Sequence, residues 1–76
     1  MEKIYAILAE LRPEIDFTAS GDYIADGLLD SFDMVALVSA LEEEFSIRID
    51  ALDIVPENFS SAQAIAGTVR KNGGAV

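Results

Sequence analysis

The sequence predicts an all-α fold: three main helices and one short one around a single aliphatic core, with a long loop between helices one and two. Three observations carry this. Apolar residues recur at helical spacing in three separate segments. Capping residues stand at the starts of the second and third of these segments. The one alternating stretch, Ile47-Arg48-Ile49-Asp50, has no second strand to pair with.

Ile4, Ile7, Leu8 and Leu11 fall on one helical face, so helix one is predicted from Glu2 to Leu11, and Pro13 blocks its continuation. A polar loop follows from about Arg12 to Leu29, with turn formers at Ser20, Gly21, Asp22 and Gly27. It is longer than a compact domain usually tolerates without purpose. Ile15, Phe17, Tyr23, Ile24, Leu28 and Leu29 are the side chains available to pin it to the core. Helix two is predicted from Ser31 to Phe45. Met34, Val38, Leu41 and Phe45 form its stripe, which Leu37 and Val35 widen. Asp30 is its N-cap, and Asp33 falls at N3 in a capping-box-like arrangement. Ile47 and Ile49 are expected to tuck inward from an extended loop, and Asp53 to Phe59 to hold one short helical turn. Ser60 and Gln63 read as a second capping box ahead of the last helix, defined by Ala62, Ile65, Ala66 and Val69. That helix is predicted to stop near Asn72, with Gly73 and Gly74 as terminator. The 76 residues suit one domain, ordered over about residues 2–72 with a flexible tail at 73–76.

Composition narrows the function. With neither Cys nor His, the chain has no disulfide, no thiol nucleophile and none of the commonest transition-metal ligands or general bases. Fourteen acidic residues face five basic ones, a net charge of −9. Such a surface repels nucleic acids and anionic membranes and speeds encounter with basic protein patches. No apolar run approaches the roughly 20 residues a membrane span needs. The N-terminus lacks a signal peptide's basic start and long apolar stretch. A cytoplasmic monomer is the expectation.

The candidate site lies in Gly27-Leu28-Leu29-Asp30-Ser31-Phe32-Asp33. With Asp30 as N-cap, Ser31 is the first helical residue, and its hydroxyl projects from the positive end of the helix dipole. A phosphate esterified there would sit where helix termini tolerate anions best. Catalysis by Ser31 itself would need an adjacent base. The only lysines, Lys3 and Lys71, stand near the two chain ends, so no catalytic residue is assigned. On local physics, Ser31 reads either as an ordinary helix-start residue or as a site that another enzyme modifies.

The same residues resemble the acyl carrier protein family, with its aminoacyl and peptidyl carrier relatives. The likeness begins with the Gly27–Asp33 segment and continues through Val35-Ala36-Leu37-Val38-Ser39-Ala40-Leu41-Glu42-Glu43-Glu44-Phe45. It then takes in Ile47, Ile49, Pro56-Glu57-Asn58-Phe59 and the helix beginning at Ser61. The resemblance runs from about Ile4 to Arg70 and implies a four-helix carrier fold. It further implies that Ser31 receives 4′-phosphopantetheine from coenzyme A, and that the arm holds acyl or aminoacyl groups as thioesters. The implied partners are a phosphopantetheinyl transferase, and acyl- or aminoacyl-activating ligases and synthases with basic docking patches. Asp30, Phe32, Asp33, Glu42 and Glu43 are the positions that such a surface would use. Gly-Leu-Leu before Asp-Ser, Phe32, Ala36 and Ser39 depart from fatty-acid carriers, and the sequence looks more like D-alanyl and other stand-alone carriers.

Two other readings stand beside the carrier. One is an unmodified acidic helical interaction module. The other is a degenerate calcium-binding EF-hand: Asp22, Asp26, Gly27, Asp30 and Asp33 fall at loop positions 1, 5, 6, 9 and 12. Against it, position 3 is Ile24 and position 12 is Asp where a bidentate Glu is required. No metal ligand is therefore assigned.

Overall fold

The computed structural model describes residues 1–76. It is all-helical and without strands: α1 (Glu2–Leu11), α2 (Ser31–Phe45), two short 3₁₀ turns (Ala51–Asp53 and Pro56–Phe59) and α3 (Ala62–Lys71). α1 packs on both α2 and α3, and the second 3₁₀ turn lies against α3. One cluster joins Ile4, Ile7 and Leu8 of α1 to Met34, Leu37 and Leu41 of α2, and Ala62, Ile65, Ala66 and Val69 of α3. Loop residues Phe17, Tyr23, Leu29, Ile49 and Phe59 complete it.

The helix limits follow from local chemistry. Arg12, held extended by the following Pro13 (φ −139°, ψ 80°), ends α1 while its N–H still reaches the Leu8 carbonyl at 2.9 Å. α2 ends at Ser46 in the left-handed region (φ 54°), and the Ile47 N–H closes back onto the Glu42 carbonyl at 3.1 Å.

Four expectations are refined. Val35 does not widen the buried stripe: it is 68% exposed, because the core-facing side of α2 runs through Met34, Leu37 and Leu41. The single short turn expected between Asp53 and Phe59 is two 3₁₀ turns. Pro56 forces Val55 into extended backbone (φ −131°, ψ 152°) between them. The capping box at Ser60 is shifted by one residue. Ser60 stays helical (φ −79°, ψ −17°) and donates its hydroxyl to the Glu57 carbonyl. Ser61 has the extended backbone a cap needs (φ −154°, ψ 164°), and its Oγ accepts the Ala64 N–H at 3.0 Å. Beyond Asn72, Gly73 and Gly74 are hydrogen-bonded back to Arg70 and Val69, so backbone pairing extends two residues past the predicted limit.

Tyr23 organises the long loop. Its ring is 1% exposed and meets Phe17 edge-on at 5.1 Å, and its hydroxyl donates to the Phe17 carbonyl at 2.9 Å. Its N–H donates to the Ser60 carbonyl at 2.7 Å, which ties the loop to the entrance of α3. Burial raises the Tyr23 pKa above its ordinary value. A turn from Asp22 to Gly27 follows. It is capped by the Asp22 carboxylate on the Ile24 and Ala25 N–H groups and ended by Gly27 at φ 72°. Leu28 and Leu29 then drop toward the core and deliver Asp30 to the head of α2.

Candidate functional site at the head of α2

Asp30 adopts the extended backbone of an N-cap (φ −107°, ψ −176°). Its carboxylate accepts the Asp33 N–H at 2.8 Å, and the Asp33 carboxylate accepts the Asp30 N–H at 3.2 Å, a complete capping box. Ser31 is the first residue of α2 and is exposed. No carbonyl lies four residues back within the helix for the Ser31 and Phe32 N–H groups, so both point out of its positive end. Phe32 beside it is 82% exposed. A negatively charged ester on the Ser31 hydroxyl therefore has open space and a favourable helix end, and the residues fit an anionic prosthetic group there.

Asp33, expected from the sequence among the partner-facing residues, is 5% exposed and engaged within the chain. Arg12 Nε donates to Asp33 Oδ1 at 3.1 Å and Arg12 Nη2 to Oδ2 at 2.9 Å, a side-on bidentate pair. Arg12 Nη1 also reaches Glu14 Oε2 at 3.3 Å. The Arg12 hydrogen bond, with help from the Asp30 amide, holds the Asp33 carboxyl below the usual carboxylate range against the opposing effect of burial. Asp33, and after it Glu14, raise the Arg12 pKa. Periodicity and capping patterns gave no sign of Arg12. One signal was present: it is the only cation between Lys3 and Arg48 in a chain with five.

The remaining candidates divide. Glu43 is exposed. Glu42 is half-buried, and its Oε2 accepts the Ile49 N–H at 2.9 Å, so part of its role is to hold the chain that leaves α2. Neither lysine approaches Ser31 as a base: Lys71 Nζ lies 2.7 Å from Asp53 Oδ1, and Lys3 Nζ lies 3.8 Å from Glu44 Oε2. The acidic loop residues do not converge on an ion. Asp22 caps its own turn, Asp26 accepts the Ser20 hydroxyl, Asp30 caps α2 and Asp33 binds Arg12. No group of three or more such side chains is placed to hold a metal. No helix is long and apolar enough to cross a membrane.

A second polar latch, also absent from the sequence reading, lies at the far end of α3. Asp53, 7% exposed, accepts from Lys71 and, at 3.3 Å, from Asn72 Nδ2, while Asn72 Oδ1 accepts the Asp50 N–H at 3.1 Å. This fixes the link between α2 and α3 without touching Ser31.

The family model for the phosphopantetheine attachment site matches residues 2–69. No curated protein and no solved structure matches the chain significantly. Domains of this family serve generally as carriers and not as catalysts. With the match running from the start of α1 nearly to the end of α3, the chain belongs to the phosphopantetheine attachment site family of carrier domains, which take 4′-phosphopantetheine covalently.

Proposed function

We propose that Ser31 is the attachment residue and that the chain carries acyl or aminoacyl groups between partner enzymes. The observation that carries this reading is an exposed hydroxyl at the first position of α2, inside the family match, with no base beside it. When bound, the prosthetic group supplies a terminal thiol that holds such cargo as a thioester. The chain's own part is presentation. Asp30 and Asp33 lock the first turn of α2, the outward N–H groups favour the phosphate, and a phosphopantetheinyl transferase brings the base that the chain lacks. Around Ser31, Asp30, Phe32 and the 68%-exposed Val35 form a mixed surface for partner enzymes, with Glu43 and the rim of Glu42 further along α2. Ala36 and Ser39 stand where fatty-acid carriers commonly have Glu and Met, which favours partners of the D-alanyl or stand-alone type.

The test is mass spectrometry after incubation with coenzyme A, magnesium and a broad-range phosphopantetheinyl transferase. One phosphopantetheinyl increment is expected on the wild type and none on Ser31→Ala. A folded wild-type chain that takes no increment, or a Ser31→Ala chain that still takes one, refutes the assignment. Association with basic partners should also slow as ionic strength rises, because the Debye length falls to about 3 Å at 1 M salt. Salt-independent on-rates, measured by stopped flow with the transferase, would exclude the acidic part of the surface.

A further inference from the structure

We infer that Arg12, outside the attachment motif and at the opposite end of the α1–α2 loop, is the positioning residue for modification of Ser31. The inference rests on Ser31 being the attachment residue. Two features of the geometry support it. Arg12 is clamped in place, since its N–H bonds the Leu8 carbonyl and Pro13 follows it, so its guanidinium reaches the head of α2 from a fixed point at the end of α1. It takes both oxygens of Asp33, and Asp33 Oδ2 in turn holds the Asp30 N–H. The chain of contacts runs Arg12–Asp33–Asp30 and brackets Ser31 and Phe32 from both sides. The orientation of the nucleophile is thus referred to α1, and not only to the local capping box.

The second feature is charge. Asp30, Asp33 and Glu14 gather three carboxylates around this end of α2. A transferase must bring the doubly anionic diphosphate of coenzyme A to Ser31 beside them. Arg12 is the cation paired with two of the three, and it covers the carboxylate that is locked in place two residues from the hydroxyl. Removing Arg12 would leave Asp33 charged, unpaired and largely cut off from water. An ammonium cannot make the same two parallel bonds, so Lys is not an equivalent substitute.

The experiment compares transfer from coenzyme A by the same broad-range transferase onto the wild type, Arg12→Gln, Arg12→Lys and the double variant Arg12→Gln/Asp33→Asn. Folding of each is checked by circular dichroism at the assay temperature. Folded Arg12→Gln should lose about tenfold in kcat/KM, with much of the loss in kcat, since misplacement of a reacting group by an ångström can cost up to about a hundredfold. Arg12→Lys should recover only part. The double variant should regain part of the loss, because it removes the uncompensated carboxylate that Arg12 covers. Amide hydrogen exchange at Asp30, Asp33 and Met34, the hydrogen-bonded amides at the head of α2, should speed up in Arg12→Gln, whether or not any transferase is present. Wild-type kcat and KM in folded Arg12→Gln would overturn the inference, and so would unchanged exchange at those amides. If Arg12→Gln does not fold, Arg12→Lys decides by the same two readouts. If the wild type takes no increment at all, the attachment proposal fails, and the exchange measurement alone decides whether Arg12 positions the head of α2.

Discussion

Replacing Leu41 with Ala tests the phasing of α2, on which the presentation of Ser31 depends. Leu41 is fully enclosed, whereas Val35 on the same helix is 68% exposed. At about 0.8 kcal/mol per buried CH₂, the transfer loss for Leu41→Ala is about 2.4 kcal/mol. The cavity left behind raises the cost to about 3–5 kcal/mol. At about 0.05–0.15 kcal/mol per residue, the whole 76-residue chain is worth only about 4–11 kcal/mol, so one substitution consumes a large share of its stability. The midpoint of thermal unfolding should fall by about 15–30 °C. Val35→Ala, by contrast, should stay within about 0.5 kcal/mol and lean toward stabilisation, because Ala is the better helix former. Urea unfolding followed by far-UV circular dichroism measures both, provided the m-values agree. A Leu41→Ala cost of a few tenths of a kilocalorie, or a Val35→Ala cost as large as that of Leu41→Ala, would refute the placement of the buried face.

The shifted cap of α3 separates two adjacent serines. Ser61→Ala should cost about 0.5–2 kcal/mol and Ser60→Ala clearly less by the same urea assay, and the reverse order would contradict the observed cap. Stability should also depend on pH at both extremes. Asp33, Asp53 and Asp16 are held below their ordinary value of 3.8, chiefly by hydrogen bonds from Arg12, Lys71 and Thr18 respectively. Their contribution is complete above that value and drains as pH falls through the lower folded ones. Lys71, raised from 10.5 by Asp53, and Tyr23, raised from 10.0 by burial, contribute fully below those values and lose their contribution as pH rises through the higher folded ones. Urea midpoints against pH should therefore show a plateau with a fall on either side, and Asp33→Asn should shallow the acid limb alone. An acid limb unchanged by Asp33→Asn would mean that the Arg12 pair does not hold in solution.

What could be read without coordinates was local. Apolar spacing placed α1 and α2, and Asp30 placed the head of α2 and with it Ser31, because these signals act between residues within a turn of each other. The same locality explains the errors. Ser60 and Ser61 are equally good caps by composition, and only the helical backbone that Ser60 inherits from the Pro56–Phe59 turn selects Ser61. Val35 and Leu37 are equally apolar, and only the packing of α1 against one side of α2 decides which is buried.

The sequence by itself determined that a helix begins at Ser31 with a capping carboxylate before it, that the surface is acidic, and that no base stands near the hydroxyl in the chain. Tertiary structure decided that Asp33 is buried against Arg12 and that Asp53 binds Lys71. Those pairs are separated by 21 and 18 residues. No periodicity or capping rule spans such distances. They form because core burial brings the ends of α1 and α3 beside acids that would otherwise be left unpaired.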